Sequence, residues 1–234
     1  MKLGVNTVLF GGTDFRTAMQ HIQWAGYAGA EISAIEGMCE HLRLDNWQQD
    51  AAEIKAISEE LQLPITAMEV ATLDETRLLK AFEAGAAIGI PVVNVGPGGS
   101  KDNPGDLKMV IDTLAKRAEQ AEPFGVTLCV KAHVGAAIWN TPTTLETMAQ
   151  IDSPAFGIDM DPSHIHRAGE TPKSALKEVI GRVRHVHIRD CAGPGPSPGP
   201  PELQACGRGD IDLMGYCRVL VEAGYTGPVN FEVI

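Results

Sequence analysis

The chain is expected to fold as an α/β protein, a single (β/α)8 barrel over residues 1–234, and three observations carry that expectation. Eight apolar, strand-like segments alternate with helix-like segments about 27 to 45 residues apart, the pattern of parallel βαβ units. Eight strands close a barrel, and barrels of this length are commonly one domain. An internal echo joins the two ends: Ala25-Gly26-Tyr27-Ala28-Gly29 and Ala223-Gly224-Tyr225-Thr226-Gly227 each link a helix to a strand bearing a glutamate, Glu31 or Glu232. Both resemble one αβ turn with glycine at the helix C-cap. A doubly wound open sheet is the alternative, but no Gly-x-Gly-x-x-Gly follows the first strand.

Each element has its own signal. Lys2 to Asn6 is a short strand, and Thr13 can cap a helix to about Ala25 whose Phe15, Ala18, Met19, Ile22 and Trp24 fall mostly on one face. Ala30 to Ser33 is the second strand, residues 46–61 a helix, and Leu63 to Glu69 a third strand ending in a carboxylate. A helix over 74–88 precedes the fourth strand, Pro91 to Val95, and the Gly-Pro-Gly-Gly run at 96–99 must be loop. Residues 104–122 are helical, 126–131 the fifth strand, 143–151 a helix and 156–160 the sixth strand. Helices over 172–180 and 211–223 precede the seventh strand (183–190) and the eighth (229–234). No helix remains to cover the eighth strand, which points to truncation or to cover by a neighbouring chain in a homo-oligomer.

Composition narrows the partners. The net charge of −11 and the absence of a Lys/Arg cluster oppose binding to nucleic acid. Five cysteines, odd in number and without zinc-finger or CxxC spacing, in a chain with no secretory h-region, indicate reduced thiols and a cytoplasmic protein. No apolar run approaches the roughly 18 residues of a membrane span. Gly193 to Pro201 is rich in Gly and Pro and can be neither helix nor central strand. It is a long loop after the seventh strand, either a lid at the catalytic face with Gly207-Arg208-Gly209-Asp210 as its return hinge or a disordered surface loop.

The chemistry gathers at strand ends. Asp161, His187 and Glu232 end three different apolar strands, and a barrel would point them into one cup. Carboxylates with an imidazole suit a divalent ion, Mn²⁺, Mg²⁺, Co²⁺ or Zn²⁺, with open positions for a substrate hydroxyl and carbonyl. Taken singly, each has a plainer role: Asp161 as a turn or cap residue, His187 as a core histidine, Glu232 as a surface group. Their joint placement favours a site.

Asp161-Pro162-Ser163-His164, His185-Val186-His187-Ile188-Arg189-Asp190, Gly207-Arg208-Gly209-Asp210-Ile211-Asp212, and Gly224-Tyr225-Thr226-Gly227 leading to Glu232 resemble the xylose-isomerase-like TIM-barrel superfamily of sugar and sugar-phosphate isomerases and epimerases. The resemblance covers essentially the whole chain apart from the last helix. It implies a divalent metal, Mn²⁺ foremost, held by a Glu, an Asp, a His and a Glu on the fifth to eighth strands; carried over, the last three are Asp161, His187 and Glu232. It also implies that His164 and Arg189 contact a small sugar-like substrate. His133 and Glu69 lie at strand ends and could bind hydroxyls, with Asn6 at the first strand and Trp139 as an apolar wall for a sugar face; core packing or capping is the plainer role for each.

The departure is Lys131, which stands where the fifth-strand glutamate would be. A lysine ammonium has no lone pair and repels a cation. Three outcomes are open: weak metal binding by three ligands, Lys131 in the metal's place paired with Asp161 and Glu232, or a desolvated lysine acting as base or nucleophile. The family chemistry is isomerisation or epimerisation of a hydroxy-carbonyl compound through an enediolate, with Glu232 and Lys131 as catalytic groups here. A two-glutamate epimerisation cannot operate with a lysine at that place. The alternatives are a metal-dependent lyase or dehydratase, an inactive sugar-binding barrel, and an apurinic endonuclease, the last disfavoured by the acidic charge.

Overall fold

The computed structural model describes residues 1–233, and within them the barrel closes. Its strands are β1 (Lys2–Asn6), β2 (Gly29–Ile35), β4 (Ile65–Glu69), β5 (Val92–Val95), β6 (Thr127–Lys131), β7 (Phe156–Asp159), β8 (Val183–Ile188) and β9 (Pro228–Phe231). Every neighbouring pair is parallel, and β1 pairs with both β2 and β9, with Val5 opposite Ala30 on one side and Phe231 on the other. A two-residue strand, β3 (Cys39–Glu40), adds an antiparallel hairpin to the end of β2 that the sequence pattern did not announce. The third to eighth barrel strands are therefore β4 to β9. Ile234, assigned to the last strand from the sequence, lies outside the described residues.

The helices are α1 (Phe15–Trp24), α2 (Trp47–Glu60), α3 (Glu75–Ile88), α4 (Pro104–Ala121), α5 (Thr141–Gln150), α6 (Pro162–Arg167), α7 (Pro172–Val179), α8 (Pro201–Gln204) and α9 (Leu213–Glu222). Their apolar faces pack on the outside of the barrel, where Leu128, Val130, Ile158 and Val186 join Phe82, Leu114 and Tyr216 in one buried cluster. Asp14 rather than Thr13 caps α1, accepting from Thr17 N at 2.7 Å, because the Thr13 hydroxyl donates back to Phe10 O. The echoed turns are alike: Gly26 (φ +82°) and Gly224 (φ +68°) each follow the last helical residues in the left-handed region that terminates a helix. Helix α6 has no counterpart among the helices expected from the sequence; Asp161 caps it through Ser163 N, and Pro162 occupies the first helical position, where its missing N–H costs nothing. None of the described helices is long and apolar enough to cross a membrane, and the five cysteines are unpaired.

Most barrels of this kind fill their interior with branched apolar layers. Here much of the interior is polar. Glu31, Asn94, Asp159, His185, His187 and Asn230 are all at most 1 % exposed and hydrogen-bond across the strands. Asn94 donates to Glu31 at 2.7 Å; His185 donates to Asp159 Oδ1 at 2.8 Å and accepts from Asn230 at 2.7 Å. Among the described residues, Asn94 Oδ1, Asp159 Oδ2 and Asn230 Oδ1 have no hydrogen-bond partner, but each side chain is held by at least one bond across the strands, which fixes the groups above it.

After β8, Arg189 and Asp190 leave the barrel, two residues earlier than the alternation predicted. The loop that follows is built rather than loose. The buried Asp190 carboxylate accepts from Cys191 N (3.0 Å), Ile211 N (3.1 Å) and Gly207 N (2.9 Å), bracketing both ends of the loop. Gly209 lies so close that a Cβ there would collide with Cys191 O and the Asp190 carboxylate, which explains the Gly-Arg-Gly-Asp motif. Asp190→Ala strips three backbone donors of a charged acceptor; it is expected to cost about 3 kcal/mol and to expose the segment to proteolysis. Limited proteolysis with mapping of the nicks checks this: unchanged cleavage between 193 and 209 would contradict the bracket.

Candidate active site

The period-two alternation of strands delivers the site. On β6, Cys129 and Lys131 share the inward side while Leu128 and Val130 pack outward; on β8, His185 and His187 follow the same rule, and Arg189 comes just past the strand's end. Glu69 ends β4, and Glu232 follows β9. These residues meet at the C-terminal mouth.

Lys131 is the centre. Its Nζ donates to Glu69 Oε1 at 3.1 Å and to Glu232 Oε2 at 3.1 Å, and lies 3.1 Å from His187 Nδ1. Burial would lower the pKa of this ammonium, but the Glu232 and Glu69 carboxylates outweigh it and hold the lysine charged. Asp161, which the sequence offered as its partner, is replaced in that role by Glu69. Burial, and then the neighbouring Glu232 carboxylate, push the Glu69 carboxyl up to about 8. Asn6 donates to its other oxygen at 2.5 Å. Burial works the same way on Glu232, but His187, Lys131 and Arg189 overcome it and keep that group an anion.

His187 is wedged between acids. Its Nε2 lies 2.6 Å from Glu31 Oε2 and its Nδ1 2.7 Å from Asp159 Oδ2. Burial opposes the charged ring, yet Asp159, Glu232 and Glu31 raise its pKa well above the ordinary value; Nε2 carries its proton toward Glu31, while the Asp159 Oδ2 contact is a close charge–charge approach without hydrogen-bond geometry. An imidazolium has no lone pair for Lys131, and the third N–H of the ammonium is left for a ligand. Asp159 lies two residues before Asp161 and His185 two before His187. The same alternation that points to Asp161 and His187 therefore also marks Asp159 and His185, while Glu31 has no sequence signal beyond its place after the echoed turn.

Asp161 does other work. One oxygen caps α6, and the other lies 3.1 Å from Arg189 Nη2. Burial would raise its pKa, but the Arg189 guanidinium brings it down to about 2. Arg189 also donates to Ser163 Oγ at 2.8 Å and approaches His164 Nε2 at 3.0 Å. Burial keeps the His164 ring neutral, and its other nitrogen is reached by Val134 N at 3.3 Å. A neutral ring accepts at one nitrogen only, so one of these contacts is a hydrogen bond and the other a close approach. His133 stacks on His164 with centroids 4.2 Å apart.

A cavity of about 550 Å³ opens over these groups, lined by Glu69, Lys131, His133, His164, Arg167 and Arg189. All four residues expected to contact substrate are in its wall. Glu232 lies behind Lys131, and Trp139, expected as an apolar wall, is not part of the lining; it sits instead under Lys101, whose Nζ is 3.7 Å from its ring centre.

Donor atoms converge closely enough for an ion in two sets of the described residues: Glu31, His185 and His187, and Glu69, His187 and Glu232. Neither includes Asp161. In the first set the atoms are taken up by the hydrogen bonds among Glu31, Asp159, Asn230 and the two histidines. In the second, Lys131 Nζ stands within 3.1 Å of each member, neutralising the acids that would attract a metal. As arranged, these residues fit an ammonium and do not fit a divalent ion beside it.

A family model described as xylose isomerase-like TIM barrel matches residues 19–234. Among curated proteins, the chain is 27 % identical over 88 residues to inosose dehydratase of Clostridium beijerinckii, covering 38 % of this chain and 30 % of that protein. It is 25 % identical over 172 residues to 3-dehydroshikimate dehydratase of Pseudomonas putida, covering 67 % of this chain and 25 % of that one. The chain thus spans a minor part of the length of both relatives. Among solved structures, a D-tagatose 3-epimerase-like protein superposes with a TM-score of 0.81 at 20 % identity, over 98 % of this chain and 90 % of that chain. IolI protein with a bound zinc atom superposes with a TM-score of 0.79 at 21 % identity, over 100 % and 89 % of the two chains.

Proposed function

Because this chain belongs to the xylose isomerase-like TIM-barrel family, we propose that it is an enzyme that removes a proton next to the carbonyl of a small polyhydroxylated compound, with Lys131 supplying the positive charge that a divalent metal would otherwise supply. The observation that carries this reading is the Lys131–Glu69 pair at the cavity wall: a fixed cation 3.1 Å from a carboxyl that titrates at about 8. A carboxyl of that pKa takes and returns a proton near neutrality. The ammonium faces the position where the carbonyl oxygen gains charge, and a preorganised, buried cation lowers the energy of that anion.

The steps use this chain's own groups. The substrate carbonyl accepts the third N–H of Lys131. Ionised Glu69, oriented by Asn6, takes the proton from the adjacent carbon; the C–H electron pair forms the C=C bond of an enolate, and the oxygen charge rests against Lys131. Glu232 keeps Lys131 charged and in place. The enolate re-forms the carbonyl as the β C–O bond breaks, and the departing hydroxide takes the proton held by Glu69, leaving an unsaturated ketone and water. This dehydration comes first because Glu69 is the one carboxyl in the cavity wall, and one base suffices for elimination on one face, whereas epimerisation needs proton donors on both. Both curated relatives named above are dehydratases. The second reading is isomerisation, in which Glu69 returns the proton to the neighbouring carbon; the single-base geometry allows it equally.

Incubation with inosose and with 3-dehydroshikimate in D₂O tests the proposal. An unsaturated product seen by ultraviolet absorbance marks the dehydratase, and deuterium gain without loss of water marks the isomerase. Substrate binding with neither change would leave an inactive barrel and sink the proposed chemistry.

A further inference from the structure

Three cationic side chains reach the cavity wall, and two are paired. Lys131 faces Glu69 and Glu232, and Arg189 faces Asp161 at 3.1 Å and Glu232 at 3.6 Å. Arg167, in the last turn of α6, is 8 % exposed and has no carboxylate within 4.0 Å among the described residues. Its Nε donates to Gly195 O at 3.2 Å and its Nη2 to Pro196 O, both on the loop after β8, and Gly195 N returns a bond to Arg167 O at 3.1 Å. These partners are neutral carbonyls, so they satisfy donors without cancelling charge. Nη1 has no protein acceptor among the described residues and is not sealed from solvent-sized space. A half-desolvated guanidinium with no such carboxylate and a free nitrogen edge can donate a charge-assisted bond to an anion entering the cavity.

We propose that Arg167 binds a carboxylate of the substrate, which makes the substrate a polyhydroxylated keto acid rather than a neutral sugar. This inference rests on the reading of the cavity given above and names its substrate class. The planar fork of an arginine matches the two oxygens of a carboxylate. One uncompensated positive charge matches one negative charge, and a phosphate dianion would leave an excess. The loop carbonyls hold the guanidinium fixed, so binding needs no reordering of that side chain. Pro198 and Gly199 of the same loop line the cavity beside it, so an anion on Arg167 would lie under the loop, with the reacting carbonyl toward Lys131.

Titration calorimetry with shikimate and with its methyl ester provides the test, since the two differ in charge at one group. The unaltered chain is expected to bind the acid at least about tenfold tighter than the ester, a typical loss when a charged partner is left unmatched. In Arg167→Met, which keeps an apolar stem of similar length, that ratio should fall to about one. If Arg167 serves only to hold the loop, the substitution weakens both ligands alike and the acid-to-ester ratio persists, which overturns the proposal. Ester binding equal to acid binding in the unaltered chain also overturns it while leaving the cavity reading intact. Binding of neither would remove both. The ratio in the unaltered chain needs no variant, so a failure of Arg167→Met to fold leaves the proposal open to refutation.

Discussion

Lys131→Glu is expected to turn the barrel mouth from an ammonium-centred cluster into a metal centre. The substitution removes a cation from the middle of Glu69, His187 and Glu232 and adds a fourth ligand, a third carboxylate beside one imidazole, a donor set suited to Mn²⁺, Mg²⁺ or Zn²⁺. With Mn²⁺ at a hundredfold excess over its Kd, mass action contributes about 2.7 kcal/mol, or a rise in melting temperature of about 5–10 °C for a chain of this size. Elemental analysis after desalting should find about one ion per chain in the variant and close to none in the unaltered protein. Without metal, the variant should be the less stable of the two, because it gathers anions that have lost their counter-ion, a change that costs about 3–5 kcal/mol when a buried pair is broken. An equal ion content in both proteins would show that Lys131 does not occupy the metal's place, and the cation role given to it would fall.

That expectation grew from a single residue, and it shows what a sequence of this kind discloses. The eight strands, their order and the closure of β1 on β9 follow from periodicity and from turn glycines such as Gly26 and Gly224, because these are local signals. Lys131, His187, Arg189 and Glu232 could be placed near one another because the barrel puts every strand end at one mouth. Which of them touch could not be read. Asp159 and Asp161 share a strand face, and only the tilt of β7 and the start of α6 decide that Asp159 meets His187 while Asp161 meets Arg189. Glu69 looked like one substrate-contact residue among several; its closeness to Glu232 and Lys131 depends on pairings 62 and 101 residues apart in sequence. Arg167 carried no sequence signal at all, since a lone arginine before Ala-Gly is the ordinary end of a helix. Its meaning lies in the missing counter-ion, a property of three dimensions.

Glu69→Gln should abolish proton transfer while leaving the cavity formed. Glutamine keeps the shape and can still bond to Asn6 and Lys131, but it cannot carry the proton, so solvent-deuterium exchange into a bound ketone should fall about 10²–10⁴-fold. The pH dependence separates this from a loss of binding. The reacting form of Glu69 is the ionised one, so the exchange rate of the unaltered chain should rise with pH and level off above its pKa of about 8. The same group has the opposite effect on folding. Its pKa is raised from an ordinary 4.5 to about 8 in the fold, so its favourable contribution is fully present below about 4.5 and is lost as pH rises through about 8. Stability to urea should therefore decline across that window in the unaltered chain and decline less in Glu69→Gln. A variant that retained exchange, or an exchange rate flat between pH 6 and 9, would assign the proton to another group. His133, the most exposed imidazole in the cavity wall, would then be next to test, because burial lowers its pKa and leaves its ring neutral and able to accept.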